Sequence, residues 1–254
     1  MRKEVKGELK GSYRFARKLK GRYVYHHEGH KVMSLLFLLT SLPFSLTSFS
    51  QTPKEWRDSI SVLISQIDKQ PNNVDLRLKK AEANINLSQY DYAADEYSKV
   101  LKIDERNLAA LYFRAYCQTR LRHYDMAKAD YEAFLAIQPQ HMEAHLGLAH
   151  VLQLLGRRAD AVDELNRCVQ MFPDSADVYA ARAAYETEQE QYDIALFDWD
   201  EALRLNPKNT ALTVSKVDVL LRLGRKNEAR EALNAALKQG APRAALKEWF
   251  DKCK

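Results

Sequence analysis

Residues 108–141, LAALYFRAYCQTRLRHYDMAKADYEAFLAIQPQH, and residues 176–209, ADVYAARAAYETEQEQYDIALFDWDEALRLNPKN, align with each other without a gap. They share small residues at Ala115 and Ala183 and at Ala127 and Ala195, large ones at Tyr131 and Trp199, and a closing proline at Pro139 and Pro207. Working outward, the interval is 34 residues: Ala93, Ala127, Ala161, Ala195 and Ala229 fall on it without a slip. Ala81, Ala115, Ala149 and Ala183 form a second small column, with Val217 the departure. Tyr97, Tyr131, Leu165, Trp199 and Leu233 form a large apolar column, and Leu101, Leu135, Val169, Leu203 and Leu237 an aliphatic one. A period of this length belongs to a two-helix solenoid unit. The units are 74–107, 108–141, 142–175, 176–209 and 210–243.

Packing explains the columns. A helix of about 14 residues is marginal alone in water and must bury one apolar stripe on a neighbour. Two helices of one unit cross closely where the contact carries a small side chain, as Ala81 and Ala93 provide, with Tyr97 and Leu101 filling the space beside it. Proline at Pro71, Pro139, Pro173 and Pro207 ends the second helix because it cannot donate the next backbone hydrogen bond. The expected fold is all-α.

These residues resemble the tetratricopeptide repeat, whose pattern has a large residue at position four, small ones at eight and twenty, a large apolar one at twenty-four and proline at thirty-two. Position four, held by Arg77, Leu111, His145, Tyr179 and Thr213, is poorly kept. Glu105 stands where the first unit would carry proline, and in the fifth Ala241 does, with Pro242 one step late. The resemblance implies a right-handed α-α superhelix of about five repeats. Residues 51–73 read as a leading helix, Lys54 to Gln70, the second half of an incomplete repeat, with Trp56, Ile60, Leu63, Ile64 and Ile67 on its apolar face. Residues 244–254 read as a capping helix, starting at Arg243, with Ala244, Leu246, Trp249 and Phe250 facing inward.

Upstream, residues 33–50 read MSLLFLLTSLPFSLTSFS, uncharged, behind Lys31 and broken by Pro43. That is short for a membrane span and reads as a secretory signal peptide cut between Ser50 and Gln51. It is similar to export signals of Gram-negative bacteria, which implies a periplasmic or secreted protein; the alternatives are an uncleaved membrane anchor and an apolar tail on a cytosolic chain. Residues 1–32 are a basic leader or a mis-assigned start, with Met33 the other candidate.

The net charge of +5 belongs to the leader. Residues 51–254 hold 29 Lys and Arg against 31 Asp and Glu, a balance that argues against nucleic acid. The acids read as solvated helix faces. Cys117, Cys168 and Cys253 form no metal-ligand motif. Cys168 lies in a column of small apolar residues and reads as buried, whereas Cys253, near an exposed end, is the candidate for intermolecular pairing.

Chemistry finds little to work with. In HMEAH, His141 and His145 stand four apart, but Glu143 is not where a zinc protease carries its base, and His145 occupies a packing position. His26, His27 and His30 precede the signal. With 8 glycines there is no phosphate-cradling loop and no nucleophile elbow. The expectation is no enzyme, no cofactor, no metal and no small-molecule substrate.

The resemblance implies that first helices line a concave groove, with positions two, five, nine and twelve pointing into it. The candidate protein-binding residues are Leu78, Glu82, Tyr112, Tyr116, Leu146, His150 and Gln153. Tyrosines offer a large contact area with a polar tip and lose little rotamer freedom, which suits the anchoring of a partner's peptide or helix. Family members that clamp a C-terminal carboxylate use Lys, Asn and Arg at positions five, six and nine. Here those positions hold Leu78, Lys79 and Glu82, then Tyr112, Phe113 and Tyr116, then Leu146, Gly147 and His150, so that clamp is absent. The expected function is a non-catalytic scaffold that binds another protein. The alternative is a structural component of an envelope assembly, touching the membrane only through an uncleaved leader.

Overall fold

The computed structural model describes residues 52–254, and among them the chain forms twelve helices and no strand. In chain order these are α1 (Pro53–Lys69), α2 (Val74–Asn86), α3 (Tyr90–Ile103), α4 (Leu108–Arg120), α5 (Tyr124–Ile137), α6 (Met142–Leu154), α7 (Arg158–Met171), α8 (Ala176–Glu188), α9 (Tyr192–Leu205), α10 (Thr210–Arg222), α11 (Lys226–Lys238) and α12 (Arg243–Lys252). They fall into two compact units, Phe44–Glu164, described from Thr52 on, and a second containing Leu165–Lys254. The leader and the apolar segment 33–50 lie outside the described residues.

Four of the five first helices begin behind a residue whose side chain caps them. Asn73, Asn107 and His141 accept a hydrogen bond from the backbone N–H of Leu76, Ala110 and Ala144, and Asn209 accepts one from Ala211. Every first helix ends in the same left-handed turn. Ser88, Arg122, Gly156, Glu190 and Gly224, 34 residues apart, have φ of 59°, 63°, 72°, 59° and 72°. The next residue's N–H returns to a first-helix carbonyl, as in Gln89 to Asn84 at 2.9 Å and Gln191 to Glu186 at 2.9 Å, which satisfies carbonyls the helix end would leave open.

Second helices stop two residues before the closing prolines, at Ile137, Met171 and Leu205. The first repeat stops at the same column, Ile103, without proline. There Asp104 accepts from the Arg106 backbone and the Asn107 side chain, so an aspartate-led turn does the terminating.

The small columns are fully inside: Ala93, Ala127, Ala161, Ala195 and Ala229 are 0 % exposed, and Ala81, Ala115, Ala183 and Val217 likewise. Tyr97, Tyr131, Leu165, Trp199 and Leu233 are buried beside them. Gly147 shows how tight the fit is, since a β-carbon there would sit 2.6 Å from the Tyr131 ring. At the ends the pattern departs from expectation. Ile64 and Ala244 are exposed, because an end helix packs along one narrow side only. Cys253, expected near an exposed end, is 1 % exposed and joins the core of α8 to α12. Its carbonyl accepts from Arg230 Nη2 at 2.7 Å, which folds the last residues back onto α11.

The largest departure concerns the acids. Glu96, Asp130, Glu164 and Asp198, also 34 residues apart, are 2 %, 5 %, 7 % and 1 % exposed and are not solvated. Burial of a carboxylate is tolerated only with a partner, and the first helix of each repeat supplies one. Arg114 grips Asp130 with two bonds, at 2.7 and 2.6 Å, and Arg182 grips Asp198 with two, at 2.5 and 2.8 Å. In the first and third repeats position four does this work. Arg77 bonds Glu96 and the Pro71 carbonyl, and His145 bonds Glu164 and the Pro139 carbonyl. That column looks poorly kept in sequence because two different positions can serve one acid. In the second, fourth and fifth repeats the position-seven residue reaches back one repeat, Arg114 to Ser98, Arg182 to Asn166 and Lys216 to Asp200; in the first it is Lys80, which bonds Glu96, and in the third it is Leu148.

Candidate functional site

The seven candidate binding residues stand on three successive first helices of one unit: Leu78 and Glu82 on α2, Tyr112 and Tyr116 on α4, and Leu146, His150 and Gln153 on α6. All are half-buried except His150, which is 9 % exposed. Other positions expected in the groove are buried, namely Ile85 on α2 and Ala180, Ala184 and Thr187 on α8. The Thr187 hydroxyl is spent inside its repeat, donating to the Ala183 carbonyl and accepting from Trp199 Nε1.

The two tyrosines differ. Tyr112 is the centre of an aromatic cluster, edge-on to Phe113 at 5.1 Å and to Tyr131 at 5.9 Å, and tilted against Phe134 and His141, each at 5.7 Å. Burial, then the Glu143 charge, push its hydroxyl up, so it stays neutral. Tyr112 is therefore largely a packing residue, with part of its ring at the surface. Tyr116 meets Tyr90 edge-on at 6.0 Å, and the Arg120 guanidinium lies 4.9 Å over the Tyr90 ring. His150 is drawn down by burial, against a hydrogen bond with Gln153, so at neutral pH it is an uncharged imidazole.

His141 and His145 do not converge on one point. His141 caps α6 through Nδ1, and both ring nitrogens of His145 are engaged inside the repeat. Among the described residues no group of three His, Cys, Asp or Glu is placed to hold a metal ion, and no helix is long and apolar enough to cross a membrane.

Two surface features were not among the candidates. An open groove of about 460 Å³ lies between α1 and α2, lined by Trp56, Val62, Leu63, Lys79, Glu82 and Ala83 among others. It takes in Glu82, and the apolar face of the leading helix was the signal for it. On second helices, Tyr92 and Met126 are 60 % and 55 % exposed at equivalent positions, and Ile194 and Phe197 on α9 are 57 % and 64 % exposed. A large apolar residue in the column where the third and fifth repeats carry Asp160 and Glu228 was the available sign.

Paired helices on a 34-residue period, with small-residue crossings and a face of half-buried large side chains, define a helical-repeat scaffold. Tetratricopeptide-repeat family models match residues 120–185 and 180–245, so the repeats of that span are of the tetratricopeptide kind. It is similar to the DnaJ protein P58IPK homolog B of Oryza sativa subsp. japonica, 28% identical over 167 residues, which is 66% of this chain and 32% of that protein. It is also similar to the human protein O-mannosyl-transferase TMTC1, 29% identical over 129 residues, 49% of this chain and 14% of that one. The chain thus spans about a third or less of these relatives.

Among solved structures, a tetratricopeptide repeat protein from Parabacteroides merdae superposes with a TM-score of 0.61 at 18% identity, covering 79% of this chain and 78% of that one. YrrB, a tetratricopeptide repeat protein with an unusual peptide-binding site, superposes with a TM-score of 0.51 at 17% identity, covering 70% of this chain and 92% of that one. Repeats of this family generally mediate protein–protein interaction, and the fold is ordinarily a scaffold without chemistry of its own.

Proposed function

We propose that this chain is a non-catalytic scaffold that holds a peptide or helix of another protein on the first-helix face of α2, α4 and α6. One observation carries it. Leu78, Tyr112, Tyr116 and Leu146 remain half exposed on that face, although the small and large columns behind them are buried. Large side chains fixed from behind and open in front act as anchors, and their fixed framework keeps the ordering cost of association low. Tyr116, Leu146 and the neutral His150 with Gln153 favour an apolar segment with a few hydrogen-bonding groups over a charged one. Export belongs to the same proposal and rests on the apolar segment 33–50, which lies outside the described residues.

The test is affinity capture on the full chain, beside a Tyr116→Ala, Leu146→Ala variant and an Ile194→Ser, Phe197→Ser variant. Retention of one protein by the wild type and its loss from the first variant alone supports the first-helix face. Loss from the second variant alone moves the site to the second helices. Fractionation checks localisation: a chain that keeps residues 33–50 and stays with membranes supports an anchored assembly component instead.

A further inference from the structure

The ion pairs of the repeats do not balance equally. In the fourth, Arg182 is fully committed: Nε and Nη2 bond Asp198, and Nη1 bonds Asn166 Oδ1 at 2.9 Å. Glu186, one helical turn further along α8, comes only within 3.9 Å of Arg182 Nε. It is 8 % exposed, and its Oε2 is buried without a hydrogen-bond partner. Two buried carboxylates share one guanidinium.

The column around Glu186 makes the imbalance specific to this repeat. The equivalent residues are Asn84, Gln118, Leu152 and Leu220, none of them ionisable. Among the described residues the cation that draws the Glu186 carboxyl down is Arg182. On α9 the other acids are Asp193, Asp200 and Glu201, paired with Arg225, Lys216 and Arg204; Asp218 of α10 is paired with Arg222; and α7 presents the neutral Asn166 to Arg182. On α8 itself Tyr179 lies near Arg182 and adds no positive charge.

We propose that Glu186 makes the fourth repeat a proton-sensitive element: its carboxyl stays protonated while α8 packs on α9, and its ionisation loosens that packing. The driving force is the cost of a second buried negative charge with no free donor. Burial first, then the Asp198 charge, push the Glu186 carboxyl up to about 7, against the pull of Arg182. The sign follows from linkage. The unfolded chain releases this proton in the ordinary carboxylate range, whereas the folded chain keeps it to neutrality. Stability therefore falls as pH rises from that range to neutrality and is level above. The device sets how firmly α8 and α9 are joined near neutral pH.

The experiment is urea unfolding of the full chain and of Glu186→Gln between about pH 5 and about pH 8, with backbone amide exchange across α8 and α9. Gln has the shape of the protonated acid and cannot ionise. Relative to the variant, the wild type's unfolding constant should grow by up to about a hundredfold over that range. Exchange in α8 and α9 should rise with pH beyond its intrinsic dependence in the wild type alone. Comparing the two chains cancels the His145–Glu164 pair, present in both. Glu186→Leu, which installs the residue of the third and fifth repeats, should behave like Gln. Parallel pH profiles for wild type and Gln variant, or a pH-dependent difference whose exchange signature lies outside α8 and α9, overturn the proposal.

Discussion

The first and fourth repeats place an acid at the same buried position and surround it oppositely. Glu96 is held by three cations, Arg77 at 3.0 Å, Lys80 at 3.0 Å and Lys99 at 2.9 Å. Asp198 has one arginine, and Glu186 crowds the same guanidinium. Burial raises the Glu96 carboxyl, but the hydrogen bonds from Lys99 and Lys80 outweigh it and hold the group below its usual range. Glu186 moves the other way. The backbones of the two repeats share helix lengths, turn and small-residue crossing. The repeat geometry is therefore enforced by the alanine columns, while the charge around the buried acid is free to differ and moves Glu96 and Glu186 in opposite directions.

The largest effect is expected where there is no reserve of cations. Arg182→Met should cost about 3–5 kcal/mol, because Asp198 is left as an uncompensated buried charge. Arg77→Met should cost about 1–2 kcal/mol, since Lys80 and Lys99 remain on Glu96 and mainly the bonds to the Pro71 carbonyl are lost. Chemical denaturation of both variants decides the matter. Equal losses would mean that the extra cations of the first repeat contribute nothing, and the contrast would fail.

A smaller effect sharpens the sign. Glu96→Gln should destabilise by about 2 kcal/mol near neutrality, through loss of a buried charge-assisted network. A carboxyl held low in the folded state stabilises above its unfolded pKa and loses that contribution as pH falls through the folded value. The deficit of Glu96→Gln should thus shrink in acid, measured as the difference in urea midpoint from wild type at about pH 7 and about pH 3. Glu186→Gln differs from wild type in favour of the variant, and chiefly at the alkaline end. A Glu96→Gln deficit that persists unchanged in acid would show that packing, and not charge, holds that site.

The alanine columns and the prolines were legible in the sequence because one residue type serves one contact at one spacing. The buried acids are not legible as buried, although Glu96, Asp130, Glu164 and Asp198 share the same interval. An acid on an amphipathic helix looks the same whether it faces water or a partner on the neighbouring helix, and that partner, Arg77, Arg114, His145 or Arg182, alternates between two positions. The sequence assigns the seven candidate residues to first helices, on which they stand, but does not show how much of each side chain the repeat itself consumes. Tyr112 is turned into the Phe113, Tyr131 and Phe134 cluster, which depends on ring orientation across two helices. Cys253 departs from expectation for a related reason, since proximity to a chain end says nothing about whether the last turn folds back under Arg230.

The smallest effect tests whether the two repeats differ in anything except charge. Ser88 and Glu190 occupy the same turn with the same φ of 59°, a left-handed conformation that disfavours a side chain. The third and fifth repeats place glycine there, at φ of 72°. Ser88→Gly and Glu190→Gly should each stabilise by about 0.5–1 kcal/mol, the relief of the steric cost less the greater freedom glycine gains in the unfolded chain. If the backbone of the turn is the same device in both repeats, the two gains measured by thermal or chemical unfolding should agree. A gain at Glu190 clearly larger than that at Ser88 would place extra strain in the fourth repeat's backbone, and the looseness assigned to Glu186 would then have a second source in the turn that follows it.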